Sequence, residues 1–498
     1  MRSKCGECYK LSDFTRKTLN ELYILMYLGI NRSILTEKKL ELMLIYEKAK
    51  RETYPVDESM PIDNASVVFR NRHEFQRYFV ASTTYEQFLN TSDALERRKM
   101  VESVYKLYLG ISKDDMTSYK SLPVWLRKFT PAYLYVKILE DGIPELKKPP
   151  EKEKYCQMAV DILDTLISQD AFRQHKKAEW FAEKSLICDK LLNDPDKAAE
   201  VLIEGFKLDI QDGEKDCLRV RARLLAGRGA GGPGAPLAAA LAAHAHDGPL
   251  ERDINANHVY KQPMESFGRG KIKFEVRMSD GIMVLDAEEY CRLHYIEQGT
   301  YTHGEHWEGS IITTLFTLLF WDIIYAELRG VRGLFLSRYQ QRPLDMFTEG
   351  FYTNRRCLIE DRLADIARRS DDELVALMKN TWDSRPECEL SDIQRSKLSW
   401  ESVEAVSRCL RGGALAALCG RLARGYRRWR SGFPDLTLWN PRSGQIMFVE
   451  VKTDSDKPSI KQLQWMLYLR SHNISTEFCY VGTNTTRCRA RNTVDTDT

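Results

Sequence analysis

Residues 434–452 read PDLTLWNPRSGQIMFVEVK, and their pattern decides the fold of the surrounding chain. Asp435 to Trp439 has the length and residue types of a short strand, and Asn440-Pro441-Arg442-Ser443-Gly444 is a cluster of turn formers. Gln445 to Lys452 then reads as a second strand. A tight turn folds the first strand beside the second, which brings Asp435 against Glu450, fifteen positions later. Side chains at i and i+2 of a strand share a face, so Glu450 and Lys452 project together while Val451 points the other way. Further along, Ser455 or Asp456 is the expected cap of a helix with Pro458 in its first turn and Ile460, Leu463 and Leu467 as its apolar stripe. Thr476 to Val481 forms a third strand. The order strand, turn, strand, helix, strand, preceded by helices, describes a small α/β core.

Two carboxylates held close together repel unless a cation neutralises them, and oxygen-rich sites suit Mg²⁺ or Mn²⁺. Lys452 beside Asp435 and Glu450 is placed to orient or help deprotonate an attacking water and to stabilise charge developing on a phosphate. The carbonyl of Val451 becomes a backbone ligand if the ladder frays there. The competing reading of a Glu and Lys at i, i+2 is a solvated pair on a strand face. The Pro434-Asp435 step at hairpin spacing, with a helix opening soon afterwards, argues against it.

Upstream, from Leu19 to about Leu224, the pattern is mostly helical. Thr36 is positioned to cap a helix through Ala49, with Leu40, Met43 and Leu44 as its stripe. Further helices are expected near 86–108, 123–140, 156–169, 175–193 and 196–207, joined by short polar turns such as Asn193-Asp194-Pro195. This suggests an antiparallel array of the tetratricopeptide kind, although no strict 34-residue period is visible and an irregular bundle fits as well. Residues 226–251 are biased toward Ala and Gly and read as a linker or mobile surface segment that includes His244 and His246. Lys271 to Met278 alternates polar and apolar, as a half-buried strand does. A helix near 286–297 follows, then an apolar helix starting near Glu308. The domain organisation that results is an N-terminal segment 1–34, a helical domain 35–225, the linker 226–251, a connecting α/β module 252–370 carrying Glu308, and an α/β core 371–490.

The 498 residues are enough for roughly two to four domains. With 43% hydrophobic and 29% charged residues, wholesale disorder is excluded. Lys and Arg number 74 against 71 Asp and Glu, which rules out a chain-wide polyanion-binding coat but not a local patch. Such a patch exists. Between Arg411 and Arg430 lie Arg421, Arg424, Arg427 and Arg428 with no acid, and Tyr426 and Trp429 are interleaved. Arginines beside aromatic rings pair with phosphates and stack on bases; the alternative is an ordinary basic helix face with core aromatics. Twelve scattered cysteines do not make a disulfide scaffold, and Cys5 and Cys8 lack a second close pair to complete a zinc site, so reduced intracellular thiols are expected. The start has no apolar run behind its basic residues and does not read as a signal peptide. The apolar run Ile311–Tyr325, broken by Asp322, is shorter than the ~20 residues a spanning helix needs, so no membrane partner is expected.

The strand-turn-strand setting of Asp435, Glu450 and Lys452 is the PD-(D/E)xK pattern of metal-dependent nucleases. The segments HWEGSIITTLFTLLFWDIIY (306–325), PLDMFTEGFYTNRR (343–356), SGFPDLTLWN (431–440), FVEVK (448–452) and DKPSIKQLQW (456–465) together resemble the Fanconi-associated nuclease family. The catalytic domain of that family is of the virus-type replication-repair nuclease class. The stretch LPVWLRKFTPAYLYVKIL (122–139) is similar to the family's repeat-like region, so the resemblance spans roughly residues 35 to 485. It implies that Glu308, from an EGS motif at a helix start, completes a metal site with Asp435, Glu450 and the Val451 carbonyl. From spacing alone, Glu308 is only a helix N-terminal Glu favoured by the macrodipole. It also implies that Ser459 and Gln462 form the family's SxxQ element, with Gln462 joining Asp435, Glu450 and Lys452 as catalytic residues. His303 and His306 invite a zinc reading, but no HExxH exists, and they are read as loop residues or accessory contacts.

In the family a basic pocket holds a 5′ phosphate. Arg427 and Lys461 match two of its positions, and Arg424 and Arg428 are expected to add phosphate contacts. A third pocket position, an Arg before a Trp, falls on Glu179 before Trp180, and a carboxylate cannot hold a phosphate there. The family's ubiquitin-binding zinc finger and SAP-type module have no counterpart at the front, so the chain is expected to be truncated or divergent. The fold class expected is an α/β PD-(D/E)xK nuclease core, a mixed sheet with flanking helices, following an all-α repeat-like domain. The implied function is an Mg²⁺- or Mn²⁺-dependent phosphodiesterase with 5′-flap endonuclease and 5′→3′ exonuclease activity in interstrand-crosslink repair, acting in the nucleus. Its implied partners are branched or flapped double-stranded DNA and Fanconi-pathway repair proteins, with a dimer on DNA possible. Rival readings are a non-catalytic DNA-binding adaptor with a vestigial core and a PD-(D/E)xK junction resolvase.

Overall fold

The computed structural model describes residues 12–28, 54–56, 59–149, 151–245, 251–264, 272–278, 281–385, 388, 391–454 and 456–483. The helix expected over Thr36–Ala49, the Cys5 and Cys8 pair and His246 lie outside them. Among the described residues no helix is long and apolar enough to cross a membrane. The chain divides into two compact units: Met1–Gly205 with Arg228–Leu237 and Tyr325–Asp345, and Phe206–Gly227 with Ala238–Ile324 and Met346–Thr498.

The first unit is helical. Its elements are α1 (Asp13–Met26), α2 (Arg72–Asn90), α3 (Ala94–Leu109), α4 (Lys113–Ser121), α5 (Pro131–Leu146), α6 (Lys152–Ser168) and α7 (Lys177–Lys190), with α8 (Pro195–Phe206) following. Two expected helices have different bounds. The segment 86–108 is split at Thr91-Ser92-Asp93, because Asp93 accepts from the Glu96 N–H (2.7 Å) and starts a new helix. The segment 123–140 makes a 3-10 turn at Arg127–Phe129 and becomes α-helical only at Pro131, capped by Thr130, since proline suits a first turn better than an interior. Gly142 lets α5 lie on α3, for a Cβ there would stand 2.3 Å from a Val101 methyl. Buried Arg98 of α3 donates to the Glu145 and Pro149 carbonyls (3.0 Å each), so the end of α5 is capped by a neighbouring helix.

The second unit is built on a five-stranded mixed sheet in the order β1 (Ala256–Tyr260), β7 (Ser475–Gly482), β6 (Gln445–Thr453), β5 (Leu436–Asn440), β4 (His303–His306). The β4–β5 and β5–β6 pairs are antiparallel; β6–β7 and β7–β1 are parallel. β2 (Lys273–Met278) and β3 (Gly281–Asp286) form a separate hairpin. The helices of this unit include α9 (Asp216–Ala226), α11 (Ala287–Glu297), α12 (Ser310–Ile324), α13 (Gly350–Arg368), α14 (Asp371–Ser384), α15 (Trp400–Trp429) and α16 (Ile460–Ser471). Alternation along β6 divides the core. Met447, Val449 and Val451 pack with Cys291 and Tyr295 of α11, while Phe448 takes the other face with Phe433, itself edge-on to Trp465 of α16.

The expected hairpin, the helix after it and the third strand are present, so the mixed α/β core following a helical region stands as read. Three details differ. The cap of α16 is Ser459, which together with Gln462 makes a capping box, and Pro458 precedes it. Asp456 is instead used by Thr453, accepting from its N–H (3.2 Å) and its hydroxyl (2.5 Å), and Ser455 lies outside the described residues. Within 226–251, read as a linker, Ala235–Ala245 forms helix α10, because a run of alanines is the strongest helix former available. The sheet also takes β1 and β4 from the stretch 252–370 and β5 to β7 from 371–490.

Candidate metal centre

β5 begins at Leu436, opposite Val449, so the residues just past that terminal pair, Asp435 before β5 and Glu450 on β6, face each other beyond the ladder. On a strand, the N–H and C=O of one residue leave on the same side. The Val451 N–H donates to Asp435 Oδ2 (2.9 Å), so its carbonyl also points to the side beyond the start of β5. That carbonyl accepts from Lys452 Nζ (3.2 Å) and takes no ladder bond there. The fraying anticipated for Val451 is therefore the edge left where β6 runs past the start of β5.

Glu450 is wholly buried. Its Oε1 accepts from both Lys452 Nζ and the Gln462 amide, while Gln462 Oε1 accepts from the Ser459 N–H (2.8 Å). The capping box that starts α16 thus holds the amide that fixes Glu450. Glu450 Oε2 is buried and receives no hydrogen bond. Burial first, and then the Asp435 charge, push Glu450 up to about 8 against the pull of Lys452. Burial likewise raises Asp435, opposed by the Val451 N–H, Lys452 and His306.

Glu308 arrives from a different part of the chain. Trp307 is buried and stacked on Trp439 (5.1 Å), and the Glu308 N–H donates to the Asp435 carbonyl (3.1 Å). With a φ of 48°, Glu308 adopts the left-handed conformation that side chains rarely take. Gly309 follows where a Cβ would meet the Arg430 carbonyl at 3.1 Å. This tight turn, ahead of α12, aims an exposed carboxylate at Asp435: ligand atoms of His306, Glu308 and Asp435 lie within 4.8 Å of one another. His306 and His303 are strand residues of β4, not loop residues, and His303 stacks on Trp439.

The ligand atoms of His306, Glu308 and Asp435 cluster here, and Asp435 is in turn bordered by the Val451 N–H and by buried Glu450, which feels its charge and has one oxygen without a donor. This set fits a divalent cation, since a cation supplies the positive partner that Oε2 lacks. The linkage has a definite sign. The folded, metal-free protein keeps a proton on Glu450 that the unfolded chain releases above its ordinary 4.5, so metal-free stability falls as pH rises from there to about 8. A cation bound to the ionised carboxylate reverses this. The rise in melting temperature on adding Mn²⁺ is therefore expected to be larger at about pH 8.5 than at about pH 6. Thermal melts at both values test it, and an equal gain at both would place Glu450 outside the ion's reach.

The arginine run is distributed differently from its reading as one basic face. Arg421 lies over Trp429 (3.6 Å), Tyr468 (3.9 Å) and Trp465 (4.6 Å), donates to the Gln464 carbonyl (3.1 Å), and is lowered by burial to about 9. Arg428 donates to the Gly213 carbonyl (2.7 Å) and to Gln464 Oε1 (2.8 Å). Arg424 pairs with Glu360 (2.7 Å), and Arg427 donates to the Phe347 carbonyl (3.4 Å). Arg430 and Lys461 are exposed, the latter with Nζ 3.4 Å from Ser431 Oγ. Non-helical dihedrals at Gly425 (φ −159°, ψ 50°) kink α15 between Arg421 and Arg428, and across that kink both side chains still reach Gln464 of α16. Glu179, in the first unit, is exposed and paired with Lys176 (2.5 Å).

Comparison with known proteins agrees with this geometry. Residues 369–483 match the family model for the VRR-NUC domain, and residues 71–225 match that for the TPR domain of Fanconi-associated nuclease 1. Two segments of the chain are thus similar to these domains. The resemblance read from the motifs is thereby borne out. Fanconi-associated nuclease 1 of Danio rerio is 29% identical over 450 residues, covering 84% of this chain and 43% of the relative. That of Mus musculus is 28% identical over 425 residues, covering 83% and 40%. The chain thus spans about two fifths of the length of these curated relatives. A crystal structure of paFAN1 bound to DNA with a 1-nt 5′ flap and a gap superposes with a TM-score of 0.65 at 18% identity, covering 97% of this chain and 79% of that one. It shares the fold. The strands β1 and β4 and the placement of His306 beside Asp435 were not legible from the sequence, because four- or five-residue edge strands such as His303-Gly304-Glu305-His306 carry no apolar alternation.

Proposed function

We propose that this chain is a divalent-metal-dependent, structure-specific DNA nuclease that hydrolyses phosphodiester bonds in flapped or branched duplexes. The observation that carries the reading is the wholly buried Glu450, with one oxygen fixed by Lys452 and Gln462 and the other left without a donor beside Asp435, inside a VRR-NUC domain. Glu308, Asp435, Glu450 and the Val451 carbonyl would hold Mg²⁺ or Mn²⁺. The bound ion would supply Lewis-acid polarisation of the phosphate and a more acidic water. Lys452, with its ammonium between Glu450 Oε1 and the Val451 carbonyl, holds a proton-donating group at the edge of the site, where it orients the attacking water and balances charge on the phosphate. Gln462 keeps Glu450 from rotating away. Exposed Lys461 and the exposed end of the arginine run at Arg430 favour a phosphate backbone alongside.

The 5′-flap and 5′→3′ exonuclease activities, the role in crosslink repair with Fanconi-pathway proteins, and nuclear action are part of this proposal. They are supported by the names of the relatives and by the flap DNA in the paFAN1 crystal. Lys452→Ala is expected to slow cleavage of a labelled 5′-flap duplex by roughly 10²-fold or more, with metal affinity retained. A panel of flaps, nicks, blunt ends and four-way junctions, with and without Mg²⁺, checks this. Undiminished cutting by Lys452→Ala protein sinks the proposed chemistry, and cutting confined to four-way junctions sinks the proposed substrate.

A further inference from the structure

The centre contains one group that an Mg²⁺ nuclease has no need of. His306 lies at the end of β4, where its Cα pairs with that of Leu436, the residue after Asp435. Its Nε2 is 3.7 Å from Glu308 Oε1, and together with an Asp435 oxygen the three ligand atoms fall within 4.8 Å of one another. Next to Asp435 is Glu450, wholly buried, with Oε2 unpartnered.

Two features hold the imidazole in place. Register with β5 fixes the Cα of His306, and the neighbouring Trp307 is locked under Trp439, so the turn that aims Glu308 aims His306 with it. No ladder or capping role accounts for a histidine here. Its side chain is about one-third exposed.

We infer that His306 ligates the metal ion directly through Nε2 and biases the centre toward Mn²⁺ over Mg²⁺. The inference rests on the metal-centre reading above and deepens it. Neutral imidazole is a borderline donor. It adds to the affinity for a first-row transition ion but gives little to Mg²⁺, which prefers oxygen and holds its waters. A purely oxygen site discriminates weakly between the two ions. One nitrogen in place of one water shifts the balance.

The test is pulsed electron paramagnetic resonance of Mn²⁺ bound to the full chain, together with calorimetric titration of Mn²⁺ and Mg²⁺. Wild type is expected to show ¹⁴N modulation on the Mn²⁺ signal, replaced by the ¹⁵N pattern when histidine is ¹⁵N-labelled. His306→Gln is expected to bind one Mn²⁺ without that modulation, and its preference for Mn²⁺ over Mg²⁺ should fall roughly tenfold. Asp435→Asn identifies the centre, since it should weaken both ions together. Mn²⁺ bound by wild type with no nitrogen modulation overturns the inference and leaves the metal centre standing. Modulation that persists in His306→Gln overturns it too. Failure of wild type to bind Mn²⁺ in an Asp435-dependent way overturns the metal-centre reading, and the inference falls with it.

Discussion

Glu450→Gln protein is expected to cleave a flapped duplex at least roughly 10³-fold more slowly than wild type, while its metal-free fold melts no earlier. The substitution keeps the shape of the side chain. Oε1 can still accept from Lys452 and Gln462, so the local hydrogen bonds survive. What changes is Oε2, which becomes an NH₂ group: the charge meant for a cation disappears, and a donor now faces Asp435. Because Glu450 is wholly buried and raised to about 8, the metal-free protein already resists ionising this group near neutrality. A neutral amide relieves that cost instead of adding to it. Single-turnover cleavage and thermal melts measured on the same preparation separate the two effects. Activity within about threefold of wild type would remove Glu450 from the chemistry, and a large drop in metal-free melting temperature would make its role structural.

Trp465→Ala is expected to cost about 3–5 kcal/mol of stability, a large share of the roughly 5–15 kcal/mol that holds a domain folded. Trp465 is wholly buried, edge-on to Phe433 (5.1 Å), Trp429 (5.7 Å) and Tyr468 (6.0 Å), and its indole N–H donates to the Ser431 carbonyl (3.3 Å). Removing the ring opens a cavity between α16 and the sheet, strips one wall from the aromatic surroundings of Arg421, and frees the segment leading into Asp435. Trp465→Phe should recover much of the packing but not the Ser431 contact. Urea denaturation of both variants checks this, and a loss below about 1 kcal/mol for the alanine variant would mean the site tolerates collapse.

The sequence by itself determined whatever depends on near neighbours. The turn formers Asn440–Gly444 between two strand patterns set Asp435 opposite Glu450, with Asn440 itself paired to Gln445 in the fold, and period-two alternation placed Glu450 and Lys452 on one face. The SxxQ spacing at Ser459 and Gln462 is both a capping box and the clamp on Glu450, so one local motif served start signal and site together. Glu308 was legible only through family resemblance, since more than a hundred residues separate it from Asp435 and no periodicity links them. The arginine run shows the opposite limit: its composition was plain, yet which arginines face outward depended on where α16 packs, and Arg421 and Arg428 turned inward onto Gln464. Only the tertiary structure decided that the strand bearing His306 borders the strand that begins beside Asp435, and that Glu450 keeps an oxygen without a donor. Local propensity and periodicity act over a few residues. A metal centre is made where distant segments end against one another, and desolvation there is a property of the packed fold alone.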